Sequence, residues 1–284
     1  MMITSDRNGT SPRARALRTL AVAAVVIFVV LFVVAAVAAV ALNGGTGGAS
    51  ATTAGAGAAV AGGSPGVAPD AGGGQGDTGG QDEISGAAMA AFPLAAAQPH
   101  ELATTGGGAP LLIPAPTVTT GTVPTGFPRT PEGALAQLKA LNEAGMAGMD
   151  PATYATAYAA VAGPGAPSVA TTTLDQVATG SRAKGGLPST GPVPALTASY
   201  QVSAGLIKGS SDGGDFVVPC TLGVLSVVTT TTSVRIAIGD CQALRWIDGQ
   251  WRISPTRAPV VAPATWPGTT EAQTAGYVAV IGNA

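Results

Sequence analysis

From Leu20 to Leu42 the chain carries no charged or strongly polar side chain, and it reads LAVAAVVIFVVLFVVAAVAAVAL. About 20 apolar residues rising about 1.5 Å each cross the roughly 30 Å core of a bilayer, so this run predicts a transmembrane helix. Residues 43–125 then lose all hydrophobic period and fill with Gly and Ala, a pattern that predicts a disordered linker. Helical period begins after Gly126-Phe127-Pro128. Thr130 stands as N-cap, Pro131 at the first helical position and Glu132 in the first turn. Leu135, Leu138 and Leu141 follow at helical spacing and Gly145 supplies the stop. Asp150-Pro151 opens a second helix, with Tyr154, Tyr158 and Val161 on one face and Gly163-Pro164-Gly165 at its end. Thr171–Ala178 is ambiguous between loop and a third short helix, and residues 179–196 read as a Gly/Pro/Ser loop. The period then shifts toward two. Ala198–Lys208, Phe216–Thr229, Thr232–Trp246 and Gln250–Ser254 read as strands, with turns at Asp212-Gly213-Gly214 and Asp248-Gly249. Helices followed by an antiparallel meander predict an α+β domain over residues 126–284, short helices packed on a curved sheet.

Charge orients the apolar run. Residues 1–19 hold Arg7, Arg13, Arg15 and Arg18 against Asp6, a net +3, and no basic residue recurs until Arg129. Basic flanks stay on the cytoplasmic side, which predicts a cytoplasmic tail over 1–19, a single span over 20–42 and an extracellular remainder. A cleaved signal peptide is the competing reading, although its apolar region usually extends only about 7–15 residues. Ala39-Val40-Ala41 would serve as the cleavage site, but the run of 23 residues favours an uncleaved anchor in contact with membrane lipid. The linker carries Asp70, Asp77, Asp82, Glu83 and Glu101 with no Lys or Arg, a net −5. As a Gly-rich coil it has an end-to-end distance of about 50 Å. Its stretch Leu111-Leu112-Ile113 reads as slightly apolar linker, with packing against the domain as the alternative.

From Phe127 onward the remaining charges balance, since 13 − 4 leaves nine basic and 15 − 1 − 5 leaves nine acidic residues. A neutral domain lacks the clustered Lys and Arg of a nucleic-acid surface, so no direct nucleic-acid binding is expected. Candidate chemistry is equally sparse. His100 is the single histidine and falls in the linker, which leaves no Ser-His or Cys-His pair inside the domain. GGGQG and GGTGG lie in low-complexity sequence rather than between a strand and a helix, so neither reads as a phosphate cradle. Asp212 with Asp215, or Asp240 with Asp248, would make carboxylate pairs, but turn chemistry accounts for them. No catalytic residue, metal site or cofactor is expected.

Cys220 and Cys241 are the only cysteines. If Thr230-Thr231 forms a two-residue hairpin tip, residues i and 461 − i face each other, and the two cysteines oppose on a non-hydrogen-bonded pair. That spacing suits a disulfide; free thiols and metal or redox chemistry are the other readings. The Asp248-Gly249 turn sets Trp246 opposite Trp251, either as an exposed aromatic patch or, the favoured reading, as a lock on the hairpin.

Two phrases carry a family resemblance. The domain opens with Gly126-Phe127-Pro128-Arg129-Thr130-Pro131-Glu132-Gly133-Ala134 and closes its hairpin with Trp246-Ile247-Asp248-Gly249-Gln250-Trp251-Arg252. A Pro-rich tail then leads to Trp266-Pro267-Gly268 and Ala275-Gly276-Tyr277. These phrases resemble actinobacterial membrane-anchored conjugation proteins, which follow a single span and a linker with an extracellular NTF2-like (VirB8-like) domain. The resemblance implies a non-catalytic subunit of a type IV secretion-like DNA-transfer channel. Its implied partners are other envelope or conjugation-machine proteins and a second copy of the chain. An NTF2-like accessory protein of another envelope complex, such as one for lipid import, and an anchored domain with a small-molecule pocket are the alternatives.

Overall fold

The computed structural model describes residues 78–282, so the span over Leu20–Leu42 and its basic tail lie outside the described residues. Among the described residues no helix is long and apolar enough to cross a membrane. The elements run in chain order as α1 (Thr78–Gly86), β1 (Leu111–Ile113), α2 (Pro131–Gly145), α3 (Pro151–Val161), α4 (Thr173–Lys184), β2 (Leu196–Ser211), β3 (Phe216–Thr229), β4 (Ser233–Cys241), β5 (Leu244–Ile247), β6 (Gln250–Ile253), α5 (Thr270–Thr274) and β7 (Val278–Gly282).

The architecture is α+β, built on one curled, largely antiparallel sheet in the order β1-β7-β2-β3-β5-β6, with β4 also paired to β3. The curl has a local cause. β2 shifts register between Val202 and Ala204 and again between Ile207 and Gly209, and each bulge bends and twists the strand. Helices α2 and α3 begin where their caps predict: Thr130 Oγ1 accepts from Gly133 N–H, and Asp150 Oδ1 from Ala152 N–H. The third helix forms over Thr173–Lys184, so residues 179–184, expected as loop, are helical. Gly180 and Ser181 are poor helix formers, but buried Arg182 on that turn reaches three backbone carbonyls. Those tertiary bonds outweigh the local preference.

β3 is buried along Phe216–Leu225, so both faces of the sheet are covered. Successive side chains alternate between the faces. Thr221, Gly223 and Leu225 face α2 and Tyr200, whereas Val218, Cys220 and Leu222 face the other side. That second face is covered by the segment expected to be disordered. Residues 78–125 pack on the domain: Ile84 of α1 sits against Gly209, Met89 against Cys241, and Ala97 is fully buried. Residues 78–125 therefore belong to the folded domain, and the expectation of a disordered linker is corrected for these residues. The local pattern carried no signal because the order is imposed from elsewhere, by an apolar sheet face that needs a cover.

The cover has two strands of chain. Along the N-terminal segment, Ser85 O accepts from Val260 N–H, Ala96 O from Trp266 N–H and Thr105 O from Gln273 Nε2. Ala103 N–H donates to Gly268 O, and Leu111 pairs with Val280 where β1 lies parallel to β7. Partners advance together along both segments, so the two terminal segments run side by side in the same direction. Ile113 is buried at the end of this run, and Leu111-Leu112-Ile113 is a sheet strand rather than linker.

Candidate functional site

Cys220 and Cys241 stand opposite on β3 and β4 and form a disulfide, with Cα atoms 4.1 Å apart. The pairing follows the 461 − i register from Val228–Ser233 to Cys220–Cys241 and resumes at Val217–Leu244 and Phe216–Arg245. The stretch expected as one strand, Thr232–Trp246, is therefore divided without changing register. The break falls where Pro219 opposes Gln242: Gln242 N–H still donates to Pro219 O, but proline has no N–H to return.

Trp246 and Trp251 pair across β5 and β6 in an edge-to-face arrangement, ring centroids 5.3 Å apart at 72°. Asp248 and Gly249 both adopt positive φ, 49° and 77°, as a type I′ turn requires. Trp251 is fully buried and its Nε1–H donates to Pro128 O at 2.8 Å. A Cβ on Gly133 would lie 1.9 Å from that same carbonyl oxygen, so only glycine lets the start of α2 approach it. The hairpin thus closes onto the entry to α2.

The carboxylates separate into distinct roles. Asp212 Oδ2 accepts from both Gln81 Nε2 and Arg245 Nη2 at 2.8 Å, fastening α1 to the β2–β3 turn. Asp215 pairs with Arg129, and Asp248 occupies the hairpin turn. Asp240 differs from its expected place beside a turn. It lies within β4, is wholly buried, and faces α2. Asn142 Nδ2 donates to its Oδ2 at 3.1 Å and to Thr221 Oγ1 at 2.9 Å, and Gln242 Nε2 donates to its Oδ1 at 3.1 Å. Among the described residues no ion pair reaches it. Burial pushes its carboxyl up to about 6, and the Asn142 and Gln242 hydrogen bonds oppose the rise.

All four tyrosines, Tyr154, Tyr158, Tyr200 and Tyr277, respond to this buried charge. Desolvation raises each phenol first and Asp240 adds to it, taking Tyr158 to about 12. Tyr200 crosses the face of Gly223, where a Cβ would lie 2.4 Å from its ring, and donates to Ile238 O at 2.7 Å. The Asp240 carboxyl itself is held by two neutral amide donors, Asn142 and Gln242, and is closed to solvent. Sequence reasoning missed it, although the hairpin register already set Asp240 opposite Thr221.

A concave feature open to solvent lies elsewhere, between α2 and the β1/β7 edge. It is a groove of about 410 Å³ floored by Ala136, Ala140 and Ala144 and roofed by Ile113 and Val280, with Phe127 on its wall. Lys139 and Glu143 are its charged groups and pair with each other at 2.5 Å. Glu143 uses its other oxygen to accept Val202 N–H at 2.9 Å. Among the described residues no cluster of His, Cys, Asp and Glu could hold a metal ion. Comparison of the chain with known protein families, with curated proteins and with solved structures finds no match.

Proposed function

We propose that this chain is a non-catalytic, membrane-anchored envelope protein whose NTF2-like domain works through protein–protein contacts, as a structural subunit of a conjugative DNA-transfer channel. One observation carries most weight: the two phrases behind the family resemblance meet in space. Trp251 of the closing hairpin donates to Pro128 in the opening phrase, and Gly133 of that phrase leaves room for the contact. Motifs so far apart in sequence then describe one structural unit. The curled antiparallel sheet with α2–α4 on one face is compatible with an NTF2-like domain, and the buried disulfide suits an oxidising exterior. Asp240, whose proton affinity burial raises, is wholly enclosed by the fold.

Crosslinking in intact cells, followed by purification of the full chain, tests the reading. Recovery of other DNA-transfer membrane proteins is expected, together with loss of DNA transfer when the gene is deleted. Recovery of lipid-import components with unimpaired transfer would overturn it. The groove beside α2 favours one second reading, a domain that also holds a small apolar ligand.

A further inference from the structure

We propose that the groove between α2 and the β1/β7 edge binds a single acyl chain, with Lys139 taking the carboxylate or ester oxygen at its end. The site rests on the envelope reading for its supply of lipid. Ala136, Ala140 and Ala144 recur at every fourth position of α2 and present only methyl groups, which leaves an apolar trough beneath Ile113 and Val280. Its volume of about 410 Å³ lies in the range of small-ligand pockets.

The polar groups define the rest of the ligand. Both carboxylate oxygens of Glu143 are engaged, one by Lys139 and the other by Val202 N–H. An ammonium has three donors, and Glu143 takes one from Lys139, so Lys139 retains donors for an acceptor at the groove. A ligand with an apolar body and an acceptor at one end matches it. An added peptide strand does not. β1 is three residues long and runs directly into Pro114 and Pro116, whose missing N–H groups prevent extension of the ladder.

The test uses the full chain in lipid nanodiscs and two photoreactive probes: a diazirine palmitate, and a phosphatidylglycerol with the diazirine on its acyl chain. Adducts are mapped by peptide mass spectrometry. Labelling of peptides 111–116 and 136–144 is expected; labelling by palmitate alone assigns a free acid, and labelling by both assigns a membrane lipid chain. Ala140→Phe fills the trough and is expected to reduce these adducts at least tenfold, as is Ala144→Leu, with the disulfide and circular dichroism unchanged. Lys139→Met is expected to reduce palmitate labelling about tenfold, the worth of one charge-assisted hydrogen bond. Adducts scattered over the surface, or equal in wild type and Ala140→Phe, would overturn the site. A polypeptide crosslinked at these peptides in place of lipid would also overturn it. The channel reading is judged separately, by which proteins crosslink in cells.

Discussion

Replacing Asp240 with asparagine is expected to stabilise the protein at neutral pH, against the usual outcome for a buried polar substitution. The side chain is wholly buried, and its carboxyl shifts from 3.8 to about 6 on folding. At about 1.36 kcal/mol per pH unit, a rise of about two units means that the ionised group costs the folded state about 3 kcal/mol. The direction follows from proton binding. Below pH 3.8 the carboxyl is neutral in both states, and this cost is absent. Between 3.8 and about 6 the unfolded chain ionises while the folded protein keeps its proton, so stability falls as pH rises. Above about 6 both states are ionised and the loss is complete. Asparagine removes the charge but brings two donors into a site already facing Asn142 Nδ2 and Gln242 Nε2. A flip of the Asn142 amide presents its Oδ1, which has no partner among the described residues, to the new amide. Allowing for imperfect geometry, a net gain of about 2 kcal/mol at pH 7.5 is expected, or roughly 4–8 °C in melting temperature. Thermal and denaturant unfolding of both proteins from pH 3.5 to 8 provides the assay, and the difference between the two curves isolates this group. The gain should vanish below pH 4. A variant less stable than wild type at pH 7.5, with a difference independent of pH, would refute the reasoning.

Reduction, or Cys220→Ser with Cys241→Ser, is expected to cost about 3 kcal/mol from the released loop, and alkylation of the unreduced protein should label no thiol. Trp251→Phe deletes the hydrogen bond to Pro128 and is expected to cost about 1–3 kcal/mol in denaturant unfolding; Trp251→Ala should cost about 3–5 kcal/mol. His100 ties the N-terminal segment to α5. The Gln98 carbonyl and then Glu271 raise its proton affinity, so the tie is present below the ordinary histidine range and weakens as pH rises through the raised value. Hydrogen exchange of residues 96–110, corrected for intrinsic rate, should increase from pH 5 to 8 in wild type and stay flat in His100→Gln.

Much of the fold was legible because its instructions are local. Thr130-Pro131 and Asp150-Pro151 each place a cap and a fixed φ at a helix start, and α2 and α3 begin there. β3 occupies Phe216–Thr229 as its β-branched run and flanking turns indicate, and the β3–β4 register brings the cysteines together. The cover was illegible for the opposite reason. Residues 78–125 have little apolar period of their own, and their order comes from Val260, Trp266, Gly268 and Gln273, well over a hundred residues away. The division between β4 and β5 turned on Pro219 of the facing strand, which a reading of Thr232–Trp246 alone does not contain. Of the site, the cysteine and tryptophan pairs followed from turn geometry. The Asp240 cluster required knowing that the inward face of β4 meets Asn142, and the groove required knowing that β1 exists.

The side-by-side run of the two terminal segments also sets how the molecule carries load. Among the described residues, Gln81–Asp212 and Lys208–Ser85 clamp α1 to the sheet at the start of the N-terminal segment. Beyond that clamp, the contacts from Ser85–Val260 to Leu111–Val280 lie in the same order along both segments. Opposed pulls on the N-terminal and C-terminal segments would therefore act lengthwise along this seam. The bonds would share the force instead of parting one by one. Geometry of this kind resists traction between two anchored bodies, and it places the mechanical strength in the part of the chain with the plainest composition.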